Sequence, residues 1–168
     1  MKPGELRDLN IIGAFALALA DDFTSAMEDL GEGNESACAA LIVIGQESGL
    51  SIDRLSKILR LSQPGTVRLV DRLAEAKLVE RKTGTDRRVI ALRLTEAGKR
   101  QVKSLLVGRQ HVLAQVLRGL DDWERSALAA IAAKVLHGLD HSQVECDRRC
   151  RLCDDASCPD ETCPMLHA

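Results

Sequence analysis

Five of the six cysteines in this 168-residue chain crowd towards its end: Cys146, Cys150, Cys153, Cys158 and Cys163. Cys150 and Cys153 form a C-x2-C pair, and each later cysteine follows a four-residue spacer. Thiolates held this close repel one another unless a cation neutralises them. A metal also orders a segment with few apolar residues, because ligation free energy becomes folding free energy. Cys150, Cys153, Cys158 and Cys163 are therefore the candidate metal ligands. Cys146 is a fifth ligand or a resolving thiol, and His167 lies nearby.

Two cofactors fit four such thiolates. One is an iron–sulfur cluster, since the Cys158-Pro159 and Cys163-Pro164 steps resemble ferredoxin-type ligand runs. The other is a structural zinc ion. Spacing alone does not separate them. A disulfide framework fits less well, because the N-terminus has no charged region followed by an apolar run and a cleavage site. An unordered tail with fortuitous cysteines is the plain alternative. The tail follows the last long helix, which predicts a site beside the helical bundle and its dimer interface. Cys38 reads as a small core residue. His111, His137 and His141 read as helix-surface residues.

A second set of chemistry-bearing residues lies between Ser51 and Gly98. Arg68 and Arg72 stand four apart on a predicted helix, 62–76. Its apolar stripe is Val67, Val70, Leu73 and Ala74, so both arginines point to solvent or into a DNA groove. Ser62 suits the N-cap and Pro64 the first turn. Two short branched stretches, 78–82 and 89–94, read as strands around the polar tip Thr83-Gly84-Thr85-Asp86-Arg87-Arg88. Arginines at such a tip can reach a minor groove, where negative potential concentrates.

Charge distribution agrees. The whole chain carries −2, but residues 51–100 hold 13 Lys/Arg against 6 Asp/Glu, a net of +7. The remainder holds 10 against 19, a net of −9. A basic module between acidic flanks is an electrostatic footprint for nucleic acid.

These residues need elements to position them. Leu9, Ile12, Ala16, Leu19, Phe23, Met27 and Leu30 recur at helical spacing over 5–30, up to the break at Gly31-Glu32-Gly33-Asn34. Asn34 caps a second helix to Glu47, and Ser51 caps a third over 52–59. After the ribbon, Thr95 opens a long helix to about Gly119. Asp121 caps a last one through Trp123, Leu128, Ile131, Val135 and Leu139. The first, fifth and sixth helices form an apolar system of their own. The expected fold is mainly α with a small β-wing: a winged helix–turn–helix plus a long-helix dimerisation bundle. No apolar run is long enough to span a bilayer, so no membrane is expected. No G-x-S-x-G elbow, phosphate-cradling loop or H-E-x-x-H points to an enzyme.

The run Leu61-Ser-Gln-Pro-Gly-Thr-Val-Arg-Leu-Val-Asp-Arg-Leu73, with Leu78-Val-Glu-Arg81, Asp86-Arg-Arg88 and Leu94-Thr-Glu-Ala-Gly98, resembles the MarR family of bacterial regulators. The match is strong over 51–98, and the helical layout fits over 5–140. The resemblance implies a cytoplasmic homodimer that binds a palindrome in double-stranded DNA, most often as a repressor, and releases it to a small-molecule effector, metal or oxidant. Carried over by position, Ser62, Gln63, Pro64, Thr66, Arg68 and Arg72 would face the major groove or its phosphates. Arg87 would enter the minor groove beside Arg88, and Asp86 would stiffen the wing. Lys77 stands where the family commonly has glycine. The chain thus divides into a MarR-like domain, 1–140, with dimerisation helices at 5–30 and 95–140 and the winged module at 34–98. A cysteine-rich metal-binding tail, 141–168, follows. The competing readings are a metal-dependent redox or electron-transfer protein, and a small-molecule-responsive regulator with a purely structural zinc tail.

Overall fold

The computed structural model describes residues 2–30, 34–83, 90–139, 142–158 and 163–165. In chain order the elements are α1 (Pro3–Leu30), α2 (Glu35–Gln46), β1 (Leu50–Ser51), α3 (Ile52–Leu59), α4 (Gln63–Glu75), β2 (Val79–Thr83) and β3 (Ile90–Leu94). Then come α5 (Glu96–Val116), α6 (Asp122–His137), α7 (Gln143–Cys150) and a 3-10 turn, Asp155–Ser157. The fold is mainly helical with a small antiparallel sheet, as the sequence predicts.

Helix starts follow their caps. Asn34, Ser51, Ser62, Thr95 and Asp121 each accept a hydrogen bond from a first-turn backbone N–H. Each satisfies a donor that the helix leaves orphaned. Asp121 and Glu124 complete a capping box. Helices α3 and α4 end alike, with a left-handed cation where glycine is usual: Arg60 (φ 52°) and Lys77 (φ 59°). Leu61 N–H then reaches Ser56 O at 3.0 Å, and Leu78 N–H reaches Leu73 O at 2.9 Å. These are the six-to-one bonds of a Schellman end.

The core sits around α2, whose residues Ala37 to Ile44 are all buried. A helix apolar on every side belongs at the centre of a domain. Leu55, Ile58, Leu69, Val70, Leu73, Leu92 and Leu105 close on it from α3, α4, β3 and α5. Cys38 is part of this core, and burial pushes its thiol up to about 11. The sheet order is β1-β3-β2, with Leu50 opposite Leu92 and Val79 opposite Leu94. Strand β1 has two residues and no readable period, so the sequence did not reveal it.

Two expectations change, the phase of α4 and the apolar length of α1. In α4 the buried face is Thr66, Leu69, Val70 and Leu73, whereas Val67 is 38% exposed and Ala74 half-buried. In α1 only the C-terminal part is covered. It packs along α5 and buries Met27, while Leu9 and Ile12 stay exposed. Finally, Gly4–Met27 is long and apolar enough to cross a membrane by length and composition, with a mean hydropathy of 1.3. This corrects the expectation that no run reaches that length. Asp21 and Asp22 interrupt the segment, and its inner face meets α5.

Candidate nucleic-acid interface and cysteine chamber

Helix α4 owes its position to its buried face, and that face decides which side chains remain outside. Ser62, Gln63, Pro64, Arg68 and Arg72 are all exposed. They line the N-terminal turn and one flank of α4. Ser62 Oγ accepts from Gly65 N–H at 3.2 Å, and Pro64 costs no hydrogen bond in the first turn. Thr66 departs from expectation. Its side chain is 0% exposed and its hydroxyl donates to Ser62 O at 3.1 Å. It braces the helix start from inside and cannot touch a groove. The family resemblance placed it at the groove, but the helix phase turns its side chain inward. Val67 takes the outward place and presents two methyl groups of the kind that suit a thymine methyl.

The wing is tied to this helix. Arg81 on β2 pairs with Asp71 on α4 at 2.7 Å. Thr95 Oγ1 donates to Lys77 O at 2.6 Å, and Thr95 N–H to Leu78 O at 3.0 Å. Asp86, Arg87 and Arg88 lie outside the described residues.

The tail does more than extend from the bundle. Helix α7 lies against α3, the first helix of the helix–turn–helix. Three ion pairs fix it: Arg54–Asp147 at 2.9 Å, Arg60–Glu145 at 2.9 Å and Arg151–Glu35 at 2.5 Å. Gln46 Nε2 donates to Cys153 O and to Asp155 Oδ1, both at 2.9 Å. Leu152 packs on the main core. The tail also meets the bundle: Leu136 of α6 packs on Cys146, Cys163 and Met165, and Arg109 of α5 approaches Cys153. The sequence missed the docking because its partners stand 85 to 116 residues apart and leave no local pattern.

All five tail cysteines line one cavity of about 350 Å³. Its other walls come from α2 and α3, including Val43, Gln46, Arg54 and Ile58. A tight turn, with Cys153 N–H bonded to Cys150 O at 2.7 Å, brings the C-x2-C thiols together. Hydrogen bonding from Cys150, with the Arg109 and Arg151 charges, pulls the Cys153 thiol down. Arg109 Nη2 approaches Cys153 Sγ to 3.9 Å while its guanidinium stacks over Phe23. The same thiol contact, then burial, pushes Cys150 up. Burial also raises Cys158, with help from Cys163, its hydrogen-bond partner. Cys146 Sγ donates to Met165 O at 3.2 Å. Among the described residues, no three His, Cys, Asp or Glu side chains converge as a ready site for a single metal ion.

Glu145 joins the two regions and was not singled out from sequence. Its carboxyl is held down to about 2 by Arg148 first and Arg60 second.

Comparison with known proteins supports the winged-module reading. A model described as "MarR family" matches residues 34–89. The transcriptional repressor MprA of Escherichia coli (strain K12) is 31% identical over 113 residues. That match spans 66% of this chain and 64% of the length of the relative. The crystal structure of YusO from Bacillus subtilis superposes with a TM-score of 0.69 at 23% identity, covering 83% of this chain and all of that one. The Mycobacterium tuberculosis MarR family protein RV2887, solved with salicylic acid, gives 0.60 at 19% identity, covering 74% and 93%.

Proposed function

Since the chain belongs to the MarR family, we propose that it is a dimeric DNA-binding transcriptional regulator, a repressor in sense, acting on a pseudo-palindromic operator. It is not an enzyme in this reading. The observation that carries the proposal is α4. It starts at an exposed Ser62-Gln63-Pro64 turn, projects Arg68 and Arg72, and is braced to a basic ribbon through Arg81–Asp71. An exposed helix start beside two arginines suits both base edges and phosphates. Arg87 and Arg88 would complete the reader at the minor groove, with Asp86 stiffening the wing. Thr66 leaves the contact set.

Dimerisation rests on α1, α5 and α6. No residue of α6 is buried, and Trp123 and Ile131 are 77% and 62% exposed. Leu9 and Ile12 of α1 and Val107 of α5 add to this apolar surface. A two-fold partner covering it would set two α4 helices about 34 Å apart, one turn of DNA.

Cys150, Cys153, Cys158 and Cys163 hold the cofactor, an iron–sulfur cluster or zinc, and report its state. The docking of α7 on α3 supports a route from the cofactor to DNA within one protomer. A second reading gives the sensing to a small molecule and leaves the tail structural. It is favoured by an apolar cavity of about 430 Å³ among Phe15, Val116, Leu120, Trp123 and Leu128. A redox carrier without DNA would leave the arginine face of α4 without a role.

The test is retardation of an operator duplex selected from a random pool. The proposal expects a specific complex of two protomers per duplex, weakening as salt rises. Absence of any selected sequence would refute it.

A further inference from the structure

We infer that helix α7 is a further DNA-contacting element: its Arg148 and Arg149, gathered with Arg60 around Glu145, hold phosphates of the duplex just outside the stretch that α4 reads. The inference rests on the reading of the chain as a DNA-binding regulator and adds a surface to it.

Charge around the docked tail is unevenly matched. Arg54 lies between two carboxylates, Glu47 at 2.7 Å and Asp147 at 2.9 Å, and Arg151 meets Glu35. Glu145 instead meets three cations: Arg60 at 2.9 Å, Arg148 at 2.5 Å and Arg149 at 3.8 Å. Three guanidiniums on one carboxylate leave an excess of two positive charges at one place. The sequence sets this up. Glu145, Arg148 and Arg149 stand three and four apart, so α7 brings them to one face. Cys146, one position on, is buried with Leu136 and Met165 instead. Cations in the last turn of α7 suit the helix dipole. The dipole does not account for Arg60, which reaches the same carboxylate from the end of α3.

The patch stands where a duplex passes. In a helix–turn–helix the second helix enters the groove and the first crosses the backbone. Arg60 closes the first helix in a left-handed turn, and Ser62 caps the second two residues later. A backbone running past the start of α4 therefore runs past Arg60, and Arg148 and Arg149 share its carboxylate. Arg60 is largely exposed, and Arg148 and Arg149 are partly so. The bonds to Glu145 use Nη2 of Arg60, and Nε and Nη2 of Arg148. A guanidinium carries five N–H donors, so both arginines keep donors for phosphate oxygens. Phosphate contacts set position and carry no base information, which suits a patch lying off the reading helix.

The test uses the full chain and a duplex selected with the parent protein. Arg148→Gln/Arg149→Gln and Arg148→Lys/Arg149→Lys are compared with the parent by fluorescence anisotropy over a salt series and by phosphate-ethylation interference. The Gln pair should bind about tenfold more weakly at low salt, with a salt slope shallower by about two ions per protomer. Ethylation of the flanking phosphates should hinder the parent and not the Gln pair. A repeat selection with the Gln pair should return the same base sequence. The Lys pair keeps the charge and should recover the slope. Parental affinity, slope and ethylation pattern in the Gln pair would overturn the inference. If the Gln pair undocks α7, seen as faster amide exchange there, the Lys pair decides: a parental slope supports the inference, and a slope as shallow as that of the Gln pair overturns it. A parent protein that selects no duplex overturns the regulator reading itself. A selected duplex on which the Gln pair behaves as the parent does overturns this inference alone.

Discussion

Arg60, in the turn between α3 and α4, is bound at 2.9 Å by Glu145 of α7, a residue 85 positions further along the chain. The guanidinium is 65% exposed and stands beside the start of the reading helix. An arginine there can meet either a carboxylate of the tail or a phosphate of DNA. Glu145 is therefore placed to compete with a DNA phosphate for Arg60.

Glu145→Gln removes that competitor. The expected outcome is tighter operator binding, by about three- to tenfold, with a salt slope steeper by about one ion. Fluorescence anisotropy across a salt series measures both. Unchanged affinity and slope would show that Arg60 does not reach phosphate.

The same carboxylate gives a pH dependence. Its folded pKa, about 2, lies below its ordinary value of 4.5. The docking it supports is therefore fully present above about pH 4.5, and is lost as pH falls towards 2. Amide exchange over α7 should rise in that window in the parent protein. In Glu145→Gln it should already be raised at pH 6.

Thr66 and the arginines should separate cleanly. Thr66→Val removes a buried hydroxyl bonded to Ser62 O and should cost about 1 kcal/mol of stability. Arg72→Ala changes an exposed side chain and should leave Tm within about a degree, a surface effect. Operator affinity, compared at a temperature where both are folded, should fall for Arg72→Ala and hold for Thr66→Val.

The junction of wing and bundle has little room. A Cβ at Gly98 would stand 2.0 Å from Leu78 O, a backbone atom that already accepts from Thr95. Gly98→Ala should destabilise by about 1–3 kcal/mol, as forced packing does. Lys77→Gly, at a left-handed position, should stabilise by about 1 kcal/mol. Urea unfolding measures both. A neutral Gly98→Ala would mean that the wing has another way to seat.

Ile131→Asp should break the dimer without unfolding the protomer, because no α6 residue is buried within one chain. Sedimentation should show a monomer of native helix content, with operator affinity down at least tenfold.

Much of this architecture was legible because helix ends carry their own chemistry. Ser51, Ser62, Thr95 and Asp121 cap where the sequence places them. A glycine missing from the family pattern marked Lys77 as unusual, whereas nothing in the sequence marked Arg60, its left-handed counterpart on α3. The phase of α4 was misread by one residue. A stripe of few apolar residues fixes a helix poorly, and Thr66 hides its hydroxyl in a local bond. Spacing marks out the tail cysteines, but the seat of the tail does not follow from it. It depends on Arg54, Arg60 and Gln46 meeting Asp147, Glu145 and Cys153, contacts that no window of sequence contains.

The central claim is that α4 reads DNA through its arginine flank. The most direct measurement is operator affinity of the parent protein and of Arg68→Ala/Arg72→Ala from low to high salt. Parent affinity should fall steeply with salt. The double variant should be weakened by at least tenfold, with a shallower salt slope and unchanged Tm. A folded double variant that binds the same operator with parental affinity and slope would contradict it.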